Sequence, residues 1–262
     1  MLGKLMKYEF KATGRIFLPV FAALIIISAV SRLFLLLDLS VPGAIGVILS
    51  VILIIGVFVV TLILIIQRFR HNLLSSEGYL MMTLPLKTSS LILSKLFVSA
   101  IWSIASFIVV VLSIMIMAMT RDALSGFIEF LRGYAWTLLD RPVEIMTYTM
   151  EAVVFVAVTV LSQSLMIYAC MSLSMLVNKH RGLFSFGMYI AMATVLQVAF
   201  SIVVSVAVVL GVPDALGKLF NNFSYFGISQ FIILAIIFVQ VLLGAGYYAI
   251  THFMLKNKLN LQ

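Results

Sequence analysis

Polar positions along this chain come in short clusters between long apolar runs. Six runs reach the length of about 20 residues that a helix needs to cross the hydrocarbon of a bilayer. They are Ile16 to Leu37, Ile45 to Ile66, Leu96 to Met119, Ala152 to Val177, Leu183 to Leu210 and Ile228 to Phe253. Strands of a membrane barrel would alternate apolar and polar residues over about 10 positions, whereas these runs are apolar throughout. The pattern predicts an all-α, polytopic membrane protein: six transmembrane helices forming one domain over residues 1–262.

The segments between the runs have patterns of their own. In Met1 to Phe17, Lys4, Lys7, Lys11 and Arg15 recur every three or four residues and share one helical face, with Leu2, Met6, Phe10, Thr13 and Phe17 opposite. Such a helix is expected to lie in the membrane interface, apolar face in the acyl boundary and ammonium groups near anionic headgroups. Glu9 falls inside the apolar arc, which predicts a basic partner elsewhere in the chain. In the connection 120–150, Leu124, Phe127, Ile128, Leu131, Tyr134, Ala135 and Leu138 repeat at spacings of three and four. Trp136, Tyr134 and Tyr148 favour the headgroup level. A surface helix ending near Arg141-Pro142 follows. The stretch GVPDALGKLFNNFSYFG, with its Gly, Pro and Asn, reads as a short turn.

Composition agrees with a membrane setting: 64% of residues are hydrophobic and 10% charged, against roughly 45–50% and about 25% in soluble domains. The net charge of +8 lies at the edges of apolar runs, a placement that fits membrane topology and not nucleic acid. With the N-terminus inside, the inner pieces hold 12 of the 17 basic residues and only two acids, Glu9 and Glu77. The inner side then sums to +10 and the outer to −2, which places both termini in the cytoplasm. No cleavable signal is expected, because the first long run exceeds a signal h-region of about 7–15 residues. The single Cys170 has no partner for a disulfide and reads as a small buried hydrophobe.

Candidate chemistry is sparse. The nearest approach to a phosphate loop, Gly211 to Leu219, has the wrong glycine spacing and a Leu where the hydroxyl belongs, so no ATP site and no enzyme activity are expected in this chain. His71, His180 and His252 lack a second ligand at metal spacing, so neither a metal nor another cofactor is expected. The serines of the spans have no neighbouring base to make a nucleophile and read as helix-packing residues. Arg32, Asp38 and Glu151 fall near outer span ends, leaving span centres free of carboxylates, which disfavours a self-sufficient ion-coupled carrier. Gln163, Gln197 and Gln240 lie deep in apolar runs, and their amides are expected to face other helices or a pathway cavity.

The connection 67–94 holds the remaining signal, RFRHNLLSSEGYLMMTLPLKTSSLILSK. Ser75, Ser76 and Glu77 suit a helix start, and Pro85 stops it by biasing Leu84 away from helix. Tyr79, Leu80, Met81, Met82 and Leu84 form an apolar knob between them, with Gly78 at its base. Thr88, Ser89 and Ser90 can cap the third span. An exposed apolar knob rich in adaptable Met side chains suggests a protein partner.

The amphipathic KYEFKATGRIFLPV, six spans, and EGYLMMTLPL followed by SKL between spans two and three resemble the permease subunits of type-2 ATP-binding cassette exporters. The nearest likeness is to compact bacterial permeases of the Firmicutes kind. That resemblance implies an elbow helix over Met1 to Phe17, carrying Lys4, Lys7, Glu9, Lys11 and Arg15. It implies a coupling helix over Ser76 to Leu84 that docks in a separate ATPase, with Glu77 as polar contact, Tyr79, Leu80, Met81 and Met82 as apolar insert, and Lys95 as the matching Lys of span three. It also implies assembly with two ATPase subunits, which hold ATP and Mg, and with a second permease copy or homologue, in a bacterial plasma membrane. The connection between spans three and four is longer than in the lipid and polysaccharide exporters. A secondary carrier and a non-transporting scaffold or sensor are the alternatives.

Overall fold

The computed structural model of the protein describes residues 2–73, 88–118, 120–177, 180–211 and 225–257. Among them are seven α-helices and no strand: α1 (Leu2–Leu36), α2 (Ser40–Leu73), α3 (Thr88–Ala118), α4 (Arg121–Asp140), α5 (Pro142–Leu173), α6 (Arg181–Val209) and α7 (Tyr225–Asn257). A single 3-10 turn, Ser174–Leu176, extends α5. All but α4 are long and apolar enough to cross a membrane. The fold is all-α, and each apolar run of the sequence lies on one of these six helices to within a few residues. The helices outrun the runs because backbone hydrogen bonding continues into polar ends that only the hydrocarbon would exclude.

By its internal contacts the chain forms two compact units, Met1–Met146 and Thr147–Gln262. In the first, α1, α2 and α3 pack on one another. Phe17, Phe21 and Leu24 of α1 meet Val57 and Leu64 of α2 and Val110 of α3. Small residues let these helices approach: a Cβ on Gly46 of α2 would collide with the Ser31 side chain of α1. Hydroxyls in this interior bond back to their own helices, Ser31 Oγ to the Ile27 carbonyl at 2.6 Å and Ser50 Oγ to that of Gly46 at 2.9 Å. Thr61 of α2 and Ser106 of α3 also share a hydrogen bond of 2.8 Å. Between α1 and α2 the chain reverses through Asp38 in the left-handed region, φ 57°, a conformation that Asp tolerates better than most residues.

No separate elbow is marked off in the structure. Residues 2–17 are the first half of α1, which runs unbroken to Leu36 with Pro19 inside it. The basic face is where the periodicity places it, with Lys7, Lys11 and Arg15 exposed. Part of the opposite face is covered by protein: Thr13 and Phe17 are buried, and Trp102 of α3 lies against Phe17. Its ring stacks on Phe17 at 4.5 Å and 11°, and is 5.9 Å from Phe10 and 6.0 Å from Phe21. Gly14 makes room, since a Cβ there would stand 3.4 Å from the Trp102 ring. An amphipathic pattern reports an apolar face, and a large aromatic side chain covers that face as well as lipid does.

The helix α4 matches its expected register. Thr120 caps it, accepting from the Ala123 N–H at 3.1 Å, and it ends at Asp140 before Pro142 opens α5. From Asp122 to Asp140 every side chain is exposed except the half-buried Leu138. In the second unit, α5 and α7 touch near their starts, where the Tyr148 and Ser229 hydroxyls are 2.5 Å apart and Phe226 meets the Tyr148 ring edge-on at 5.5 Å. Further along, Gly244 faces Ser162, with 3.7 Å from a Cβ built on the glycine to the serine side chain. Because both contacts advance together, α5 and α7 run in the same direction. The helix α6 buries no residue.

Candidate functional site

The ends of α2 and α3 flank the connection on which the sequence reading centres, and α1 is fastened to them there. Lys95 Nζ lies 2.6 Å from Glu9 Oε1, with side-chain exposures of 3% and 13%. Arg68, on the last turns of α2, is within electrostatic reach of the same ammonium. Glu9 thus meets a cation of α3 that is itself close to a cation of α2, the two helices that border residues 74–87. The apolar arc of α1 had room for one carboxylate only if it met a cation, and Lys95 supplies it. A charged hydrogen bond of this length in a buried setting is strong and directional.

Local sequence positions each partner. Thr13 Oγ1 donates to the Glu9 carbonyl at 2.8 Å, so the turn carrying Glu9 stays helical where α1 meets α3. Lys95 and Trp102 are seven residues apart, two turns of one face, so the face that bears the ammonium also bears the ring stacked on Phe17. Thr88, Ser89 and Ser90 occupy the first turn of α3, and Ser94 Oγ donates to the Leu91 carbonyl at 2.9 Å.

The expected coupling residues Glu77, Gly78, Tyr79, Leu80, Met81, Met82, Leu84 and Pro85 lie outside the described residues. Of the basic positions on the N-terminal segment, Lys7, Lys11 and Arg15 are exposed and belong to no described ion pair, and Lys4 lies on the α1 backbone. The three glutamines do not converge. Gln163 and Gln197 are exposed and Gln240 is half-buried. The helical period explains Gln163, whose neighbours Ser162 and Ser164 take the buried positions.

Two ionisable groups stand on membrane-length helices. Lys95 belongs to the candidate span Thr88–Ala118 and Glu151 to Pro142–Leu176, so both ionisable groups are carried by membrane-length helices. The sequence reading set Glu151 just outside its span because the apolar run starts at Ala152, but the helix starts nine residues before Glu151.

Sequence reasoning missed the Trp102 clamp, the Thr61–Ser106 bond and the Tyr148–Ser229 pair. The phase of Trp102 with Lys95 was the only signal for any of them. At the start of α6, a shallow cleft of about 410 Å³ is lined by Val177, His180, Leu183, Phe184, Gly187 and Met188. His180 there has φ 55°, a left-handed conformation that His adopts more readily than most side chains. Among the described residues no group of three His, Cys, Asp or Glu could hold a metal ion. No protein-family model matches the chain, and no curated protein or solved structure matches it.

Proposed function

We propose that this chain is the membrane-spanning permease subunit of an ATP-binding cassette exporter, driven by a separate ATPase that docks on residues 76–84. The observation that carries the reading is the buried Glu9–Lys95 pair, taken with the position of the apolar knob between α2 and α3. A force applied to the 74–87 connection reaches α2 and α3 first. Through Lys95 and Trp102 it passes to α1 as one body, because a buried charged hydrogen bond and a stacked ring resist sliding. Such a fastening turns a docking event into movement of three spans.

The ATPase encoded by a neighbouring reading frame, expressed with this chain, should co-purify with it in mild detergent. Glu77→Lys and Leu80→Asp should release it while leaving the permease monodisperse. An ATPase that stays bound to both variants, or never binds the unaltered chain, ends this reading. A second reading, a self-sufficient secondary carrier, is favoured by Glu151, a buried carboxylate on a membrane-length helix. It requires ion-gradient-driven flux in proteoliposomes that contain this chain alone.

A further inference from the structure

Glu151 is 8% exposed and its Oε2 has no hydrogen-bond partner. It stands nine residues into α5, roughly 14 Å along a helix that rises about 1.5 Å per residue. A carboxylate taken out of water is costly unless something donates to it, so an open oxygen at this depth marks a place for a donor.

The face of α5 that meets α7 is fixed at two levels, by Tyr148 against Ser229 and by Ser162 against Gly244. At about 100° per residue, Glu151 lies roughly 60° around the helix from Tyr148 and roughly 20° from Ser162, so it belongs to that seam. Across the seam Gln230, next to Ser229, also has a buried Nε2 without an acceptor, and Thr159 Oγ1 two turns further along α5 is unpartnered as well. Unsatisfied polar groups on both helices, beside a pair of hydroxyls 2.5 Å apart, mark a polar site.

We propose that this seam binds the ammonium head of a cationic amphiphile, with Glu151 as its counter-ion and the Tyr148 and Ser229 hydroxyls as further acceptors. An ammonium offers three donors to such a set. The rings of Tyr148 and Phe226, set edge to face, add π surface that attracts a cation. On the neighbouring turn of α5, Val154 and Phe155, roughly 60° and 40° around the helix from Glu151, are exposed and apolar, giving an alkyl tail a surface to lie on. The site stands whether the chain works with an ATPase or alone.

The test uses the full chain in nanodiscs and dicyclohexylcarbodiimide, an apolar reagent for membrane carboxyls, with peptide mass spectrometry reading the adduct at Glu151. Adding n-hexylammonium should lower the total modification at Glu151, carbodiimide adduct plus any hexylamide formed where the amine traps the activated acyl group, at least fivefold, and n-hexanol at the same concentration should not. Glu151→Gln should remove the adduct. Tyr148→Phe should keep the adduct but weaken protection several-fold. Nanodiscs with and without phosphatidylethanolamine distinguish sources: protection by that lipid without added amine assigns the same chemistry to a lipid headgroup. Equal protection by hexanol, no protection by either the amine or the lipid, protection unchanged in Tyr148→Phe, or no adduct at Glu151 in the unaltered chain overturns the proposal.

Discussion

Phe17 and Leu24 of α1 are 2% and 0% exposed, whereas α6, which is equally apolar, buries no residue. Both helices have the length and composition of a membrane span, so hydropathy does not separate them. What separates them is the content of their faces. The first unit, Met1–Met146, has glycines at close approaches, serines that bond back to their own helices, an interhelical hydroxyl pair, a buried ion pair and a tryptophan laid along a phenylalanine ladder. In lipid, apolar surface gains little by leaving one hydrocarbon setting for another, so helices associate through close packing and polar bonds. In the second unit, Thr147–Gln262, burial gathers in the later parts of α5 and α7, where Gly244, Tyr247, Thr251 and Leu255 repeat at spacings of three and four. Apolarity fits both units to a membrane, and small or polar residues in phase decide which helices pack.

Removing a buried ring should separate the two units most. Phe17→Ala is expected to cost about 3–5 kcal/mol in a denaturation titration from mild detergent into dodecyl sulfate, while Phe200→Ala, at a residue 70% exposed, should stay within about 0.5 kcal/mol. Equal losses at the two sites would break the comparison.

Lys95→Met comes next, because it leaves Glu9 buried at 13% side-chain exposure without its ammonium. A loss of about 3 kcal/mol or more is expected. Adding Glu9→Gln to Lys95→Met should recover part of that loss, and a double variant worse than the single one would show that the pair is not what holds α1 to α3.

Gly46→Ala should cost about 1–3 kcal/mol through the clash with Ser31, measured as a lower midpoint in the same titration. Gly56→Ala lies on the same helix with open space around its Cβ position, so it should be neutral or slightly stabilising. The smallest effect belongs to Thr61→Val with Ser106→Ala. Their double-mutant cycle should yield a coupling of about 0.6 kcal/mol, the average for hydrogen bonds between membrane helices. A coupling near zero would place the stability of the first unit wholly in its rings, its glycines and the ion pair.

The sequence by itself determined the helical class, the six membrane-length segments and the end of α4, because hydrocarbon thickness, backbone hydrogen bonding and the proline at 142 leave few alternatives. It also showed that Glu9 needed a cation, since a carboxylate in an apolar arc is costly alone. Only the tertiary structure decided which cation that was, that the amphipathic start of α1 meets Trp102, and that Glu151 is buried within α5. Those outcomes depend on where one helix face stands against another, and hydropathy along a chain records how apolar a face is without recording what it touches.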